Sequence, residues 1–165
     1  MNIRLAIESD FQAMWAIFQA VIATETTYVF APTTSYKEAF SYWFAPKIKS
    51  FVVEDNQKIV GMYKLVENQR DLGSHVANAS FMVDPNYSAK GLGKTMGIHC
   101  LKEAKKMGFL AMQFNFVVSS NLPAVSLWQK LGFDIVGTLP KAFKHKTLGY
   151  VDVFVMYRFL DDIEI

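Results

Sequence analysis

At 165 residues the chain is one domain in length, and 52% hydrophobic against 19% charged residues excludes disorder for the chain as a whole. A net charge of +2, from 17 basic and 15 acidic residues, gives no electrostatic footprint for nucleic acid. A single cysteine, Cys100, excludes an internal disulfide and a cysteine-rich zinc site, and His75, His99 and His145 form no ligand-spaced cluster, so no metal is expected.

The first residues lack the basic-then-apolar layout of a secretion signal, and no apolar run approaches the ~18 residues read as a bilayer span. The expectation is a soluble, cytoplasmic protein with neither membrane nor nucleic acid as partner. In chain order, Arg4–Ile7 reads as a short first strand. A helix capped by Ser9 or Asp10 follows to about Ala23, with Phe11, Met14, Trp15, Phe18, Val21 and Ile22 on one apolar face. The threonine-rich stretch Thr24–Thr34 is a loop, and Ser35–Phe44 is a second helix stopped before Pro46.

Ser50–Glu54 and Ile59–Glu67 are strand-like and are joined across Asp55-Asn56-Gln57-Lys58, a hairpin signal. Val76–Val83 is a third strand, ended by Asp84-Pro85-Asn86. Gly91–Met107 is the clearest helix, with Leu92, Met96, Cys100, Ala104 and Met107 on one stripe and Gly108 at its end. Leu110–Val118 is a strand, and Asn121–Leu131 a helix with Pro123 in its first turn and Gly132 just past its end. Phe133–Thr138 and Tyr150–Leu160 are the last strands, with a basic, irregular segment at 139–149 between them. The pattern predicts a single α/β domain with a mixed sheet.

The most informative stretch runs from Phe81 to Thr95. A strand ends, a glycine-rich turn follows and a helix begins. Unpaired amides of a first helical turn, at the positive end of its dipole, bind phosphate groups, and Lys90 and Lys94 add charge. Three readings compete. A dinucleotide fingerprint fails because its third glycine falls late, at Gly97. A nucleotide P-loop matches at Gly93-Lys94-Thr95 but has Ser88 where its first glycine belongs. The third reading is a tight strand-to-helix turn with no ligand.

The second half of the chain adds a second motif. Val83-x-Pro85 followed by Gly91-x-Gly93 at a helix start resembles the acetyl-CoA loop of the GNAT N-acetyltransferase superfamily. Further on, Asn121-Leu-Pro-Ala124-Val-Ser-Leu127-Trp128-Gln-Lys130-Leu131-Gly132-Phe133 resembles that family's N-x-x-A-x-x-L-Y-x-K-x-G-F segment. The Ile3–Glu8 start and the Tyr150–Arg158 strand fit as well, so the resemblance spans the chain. It implies a GNAT-like fold: a mixed, mostly antiparallel sheet flanked by helices, with splayed central strands. It also implies acetyl-CoA as cosubstrate, held by Phe81, Met82, Val83, Ser88, Ala89, Lys90, Gly91, Leu92, Gly93, Lys94, Thr95, Asn121 and Trp128. The partner is then a small-molecule amine, and homodimers are common in the family.

Two positions depart from the pattern. Ser88 stands where the family usually has Gln or Arg, which costs one side-chain contact to the pyrophosphate. Trp128 stands at the common tyrosine, often the acid that protonates the departing thiolate, and an indole N–H has no such use at pH 7. Tyr150 and Tyr157 are the candidates to replace it, with strand packing as the plainer alternative.

By alternation, Asn78, Ser80 and Met82 share one face of their strand. Gln113, Asn115 and Val117 share one face of the next, opposite Leu110, Met112, Phe114 and Phe116. Asn78 and Asn115 are thus amides within apolar strands, where burial costs about 1–3 kcal/mol unless they are bonded. Either they tie to neighbouring backbone or they serve a ligand. The set Asn78, Asn115, Asn121 and Trp128 resembles a GNAT subgroup that includes fungal acetyltransferases of proline analogues. That resemblance assigns Asn115 and Asn121 to the pantetheine or acetyl carbonyl, and Asn78 to the amine.

The general base is open among Glu67, His75, Asp152 and water. Tyr28, Phe30, Tyr36, Phe40, Trp43 and Phe44 form core, substrate wall or dimer surface. Lys141, Lys144, His145 and Lys146 either meet a CoA phosphate or form a solvated loop. The expected activity is acetyl transfer from acetyl-CoA to the amine of a small molecule, an amino acid or analogue. The alternatives are a protein or peptide N-acetyltransferase and a non-catalytic CoA-binding module.

Overall fold

The computed structural model describes residues 1–87 and 91–165; Ser88, Ala89 and Lys90 of the glycine loop lie outside the described residues. The elements are β1 (Asn2–Leu5), α1 (Phe11–Ile22), α2 (Tyr36–Phe44), β2 (Lys49–Asp55), β3 (Lys58–Glu67), β4 (Val76–Val83), α3 (Leu92–Lys106), β5 (Ala111–Val118), α4 (Leu122–Lys130), β6 (Asp134–His145) and β7 (Gly149–Phe159). Among the described residues the strands form one sheet in the order β1-β2-β3-β4-β5-β7-β6. Every neighbouring pair is antiparallel except β4–β5. This is the expected α/β architecture of a mostly antiparallel sheet flanked by helices.

Two apolar layers hold the helices to the sheet. On one face α1 and α2 bring Phe11, Phe18 and Trp43 against Val52, Met62 and Met82. On the other, α3 and α4 bring Met96, Cys100 and Trp128 against Tyr63, Leu65 and Phe114. The predicted α3 stripe is buried from Leu92 to Ala104, while Met107, past the helix end, is 43% exposed. Cys100 is fully buried, and burial pushes its thiol up, which removes it as a nucleophile.

Local chemistry explains where the elements start and stop. Asn56 and Gln57 both take positive φ, as a two-residue type I′ hairpin requires, and they close β2 onto β3. Ser35 accepts from the Glu38 amide while the Glu38 carboxylate accepts from the Ser35 amide, a reciprocal cap on α2.

Three expectations shift. The first strand is Asn2–Leu5 rather than Arg4–Ile7, because the Asp10 carboxylate accepts from the Ile7 amide and turns the chain away from the sheet. The same carboxylate is bound by Arg4 at 2.7 Å, and that hydrogen bond holds it below the usual range. Asp10 is therefore no side-chain cap for α1.

The 139–149 segment is not irregular. β6 runs to His145 and pairs with β7 down to Gly149. Register shifts between Ile135 and Gly137 and between Leu139 and Phe143 break the alternation that would have revealed it. At the second, Lys141 has positive φ and its amide donates to the Asp152 carboxylate at 2.9 Å.

The third shift is at β5. Its ladder to β7 slips between Phe114 and Val117, so Val117 packs in the same apolar layer as Phe114 instead of sharing a face with Gln113 and Asn115.

Candidate active site

The site begins where two strands part. β4 and β5 are in register only at Val76–Ala111 and Ala77–Met112. On its other side β4 is fully paired to β3. The Asp84 amide donates to the Val60 carbonyl at one end and the Asn68 amide to the Val76 carbonyl at the other. In an antiparallel ladder such pairs recur every second residue. Asn78, Ser80 and Met82 therefore spend their main-chain groups on β3, and those of Ala79, Phe81 and Val83 face the gap.

Trp128 bridges the gap's α4 side. Its ring centroid lies 4.8 Å from that of Phe81 on β4 and 4.7 Å from that of Phe114 on β5. Phe133 stacks on Phe114 behind it, at 4.4 Å. The indole, 8% exposed, packs against both strands where their ladder stops. The close approach of α4 to α3 depends on two glycines. A Cβ at Gly97 would meet Leu131 at 2.6 Å and Trp128 at 3.2 Å, and one at Gly93 would meet Leu127 at 3.2 Å. Gly93 thus contributes to close helix packing as well as to the motif.

The gap opens into a cavity of about 410 Å³. Its described walls come from Val21 of α1, Thr27 to Phe30 of the α1–α2 loop, Tyr42 of α2, Asn78 to Phe81 of β4, Phe114 to Val118 of β5, and Asn121, Ala124 and Trp128 at α4. Asn78, Asn115, Asn121 and Trp128, far apart in sequence, thus meet around one space.

Their surroundings differ. Asn78 is half-buried and makes no side-chain hydrogen bond among the described residues. Asn115 is exposed on the β5 bulge. Its carbonyl oxygen accepts from Gln113 at 2.7 Å and its NH2 donates to Asn68 at 2.7 Å, leaving one proton and one lone pair over. Asn121 caps α4, its carbonyl oxygen accepting from the Ala124 amide at 3.4 Å. Its NH2 remains for the cavity.

Among Phe81, Met82 and Val83, Met82 is 2% exposed and its side chain packs with α1 and α2, away from the cavity. Phe81 already has a partner. Its N–H donates to the Tyr28 hydroxyl at 3.0 Å, and that hydroxyl donates to the Phe81 carbonyl at 2.5 Å. In the sequence Tyr28 belongs to an aromatic set that reads as core, substrate wall or dimer surface. Its contact lies 53 positions away, and nothing in the local pattern signals it. Tyr42 escaped notice altogether. Its hydroxyl lies 2.7 Å from that of Ser80, and its main-chain carbonyl accepts from buried Lys64 at 2.8 Å, whose ammonium also sits 3.2 Å from the Tyr42 ring centre. Burial lowers the Lys64 pKa to about 8 and raises both tyrosine phenols.

The residues that lead from β4 toward the glycine loop, Asp84 to Tyr87, are anchored by side-chain bonds. Tyr87 donates to Asp55 at 2.7 Å, and the Asp84 carboxylate accepts from the Asn86 amide at 2.9 Å and lies 3.3 Å from the Lys58 ammonium. Gly91 takes φ +90° as the N-cap of α3, a conformation that favours glycine. The first intrahelical bond runs from the Thr95 amide to the Gly91 carbonyl, which leaves the amides of Leu92, Gly93 and Lys94 without intrahelical acceptors. The Leu92 side chain is buried in the core, while Lys94 and Thr95 are exposed. This turn is the donor set a pyrophosphate needs, and the polar edge of Phe81 and Val83 suits an amide-bearing arm.

Other candidates fall outside. Glu67 pairs with Lys47 at 3.4 Å, His75 is exposed, and the Asp152 carboxylate is bound to the Lys141 amide; none lines the cavity. Tyr150 and Tyr157 do not line it either. The basic cluster ends against the α1–α2 loop, with the Lys146 amide donating to the Glu25 carbonyl at 3.1 Å. Among the described residues no group of His, Cys, Asp and Glu is placed to hold a metal, and no helix is long and apolar enough to cross a membrane.

The model of the acetyltransferase (GNAT) family matches residues 14–133, more than half of the chain. A GCN5-related N-acetyltransferase from Kribbella flavida superposes with a TM-score of 0.90 at 36% identity, over 96% of each chain. N-acetyltransferase aca1 of Schizosaccharomyces pombe is 29% identical over 67% of this chain and 54% of its own, so the match spans about half of that relative. The L-amino acid N-acetyltransferase AaaT of Escherichia coli is 27% identical over 68% of this chain and 69% of its own. With the sheet order, the parted strands and both motifs in place, the chain belongs to the GNAT N-acetyltransferase family.

Proposed function

We propose that this enzyme acetylates the amine of a small molecule with an apolar body, an amino acid or analogue, by direct attack within a ternary complex with acetyl-CoA. The observation that carries the reading is the cavity wall. Its described residues include aromatic rings, three asparagine amides and a few hydroxyls, but no charged side chain. A polyamine would bring several positive charges to a wall without a carboxylate, and desolvating them unpaired is costly. A volume of about 410 Å³ falls in the range of small-ligand pockets, roughly 300–1,000 Å³. The relation to an L-amino acid N-acetyltransferase supports the same class.

In this reading the amides of Leu92, Gly93 and Lys94 hold the pyrophosphate, with the exposed Lys94 side chain adding charge beside it. Phe81 and Val83 offer main-chain groups to the pantetheine arm. The NH2 of Asn121 and the spare proton of Asn115 bond the pantetheine or acetyl carbonyl. Asn78 faces the amine. Bound acetyl-CoA supplies the activated acyl group. The chain's part is alignment, worth several kcal/mol, and donors for the developing oxyanion. Amine attack needs the neutral amine, and no carboxylate in the described wall is placed to deprotonate it.

Thiol release with a panel of amines tests this. Turnover on proline-like or aliphatic amino acids, with Asn78→Ala lowering kcat/KM at least tenfold, is the expected result. Turnover confined to peptides would move the enzyme to protein substrates, turnover confined to polyamines would contradict the uncharged wall, and saturable CoA binding with no turnover would mark a binding module.

A further inference from the structure

Acyl transfer to an amine ends with an electron pair on sulfur and a surplus proton on nitrogen. Something must carry that proton from one to the other. The described cavity wall contains no Asp, Glu, His, Lys, Arg or Cys, and the Trp128 indole is a hydrogen-bond donor only. The side chains left in the described wall that can both give and take a proton are the hydroxyls of Thr27, Tyr28, Tyr42 and Ser80. Tyr42 and Ser80 are bonded to each other. Thr27 carries an aliphatic hydroxyl, a far weaker acid than a phenol. Tyr28 alone has a hydroxyl on the open edge of β4, accepting from the Phe81 N–H and donating to the Phe81 carbonyl at once.

We propose that Tyr28 is a catalytic residue of this enzyme, a relay whose hydroxyl gives its proton to the leaving sulfur as it takes one from the acetylated nitrogen. The inference rests on the acetyl-transfer reading above. The C–N bond forms, the C–S bond breaks and its electron pair goes to sulfur. The Oη proton moves to sulfur, the nitrogen proton moves to Oη, and the hydroxyl is restored. Burial, and secondarily the neighbouring Tyr42, push the phenol well above its ordinary value. It is therefore a hydroxyl at every working pH, and a free-standing tyrosinate is costly, so the two transfers are coupled. A ligand carbonyl that takes the Phe81 N–H frees this hydroxyl in the same place.

The test is Tyr28→Phe, read in two ways. In steady-state turnover kcat falls tenfold or more, while the KM for acetyl-CoA is unchanged or lower because the Phe81 N–H loses its competitor. Independently of turnover, the thiol of bound CoA is titrated by its thiolate absorbance. A hydroxyl donor favours the thiolate, so wild-type protein lowers the thiol pKa by about one unit relative to free CoA, and the variant loses that shift. A kcat within twofold of wild type, or an identical thiol titration in both proteins, overturns the proposal. So does a wild-type titration equal to that of free CoA, which needs no folded variant. If wild type releases no thiol with any amine, the substrate reading falls, and the thiol titration still decides the role of Tyr28.

Discussion

Asn121 both caps α4 and lines the cavity, and the proposed function gives its one amide two purposes. Its carbonyl oxygen caps α4, and its NH2 remains for the cavity. Asn121→Asp separates them, because a carboxylate keeps the capping acceptor and loses the donor. The expected outcome is a melting temperature close to wild type with a KM for acetyl-CoA raised at least tenfold, measured by thermal unfolding alongside steady-state kinetics. A comparable loss of stability would show that the amide acts only as a cap. Trp128 likewise has a physical role beyond the proton donor it displaces. It packs against Phe81 and Phe114 where β4 and β5 separate, so its bulk supports the gap from behind. The motif located this residue, but only its ring contacts show what the larger side chain does.

Between elements, the decisive contact is α3 against α4. Gly97, buried in mid-helix, looks in the sequence like a misplaced third glycine of a nucleotide fingerprint. Its use is steric. Leu131 and Trp128 occupy the space a side chain would take. Gly97→Val would overpack that contact at a cost of about 1–3 kcal/mol and push the indole toward the cavity. Urea unfolding is expected to show the loss of stability, and acetyl-CoA binding should weaken in the protein that remains folded. An unchanged unfolding midpoint would mean that α4 simply shifts outward. Glycine in a helix is ambiguous from sequence alone, since ligand approach and helix approach demand the same missing Cβ. The hairpin of β6 and β7 was obscured differently, by two bulges that break the period of two.

For the molecule as a whole, two charged side chains are buried among the described residues: Asp84, which pairs with Lys58, and Lys64. Lys64 is 7% exposed, has no carboxylate partner among the described residues, and burial lowers its pKa from 10.5 to about 8. Between those values the unfolded chain holds the proton that the folded chain gives up. Stability from this residue is therefore present above pH 10.5 and is lost as pH falls toward 8. Tyr28, Tyr42 and Tyr63, all raised by burial, act oppositely and lose stability as pH rises above 10. Comparing wild type with Lys64→Met isolates the lysine. The wild-type protein should lose stability relative to the variant, by on the order of 2 kcal/mol, between pH 10.5 and pH 8. Denaturant unfolding across that range is the measurement, and a constant difference would show that Lys64 stays charged in the fold.

The sequence by itself determined the family, the strand-to-helix turn with its unpaired amides, and the asparagine set. These rest on local rules: periodicity, capping, a glycine with positive φ, and motif residues within a few positions of one another. Only the tertiary structure decided how the cavity is walled and which hydroxyl enters it. Tyr28 meets Phe81 because β4 lacks a β5 partner there, and Lys64 is buried because α2 covers it. Such contacts join residues dozens of positions apart, and their energies depend on burial and on unpaired main-chain groups that no local pattern records.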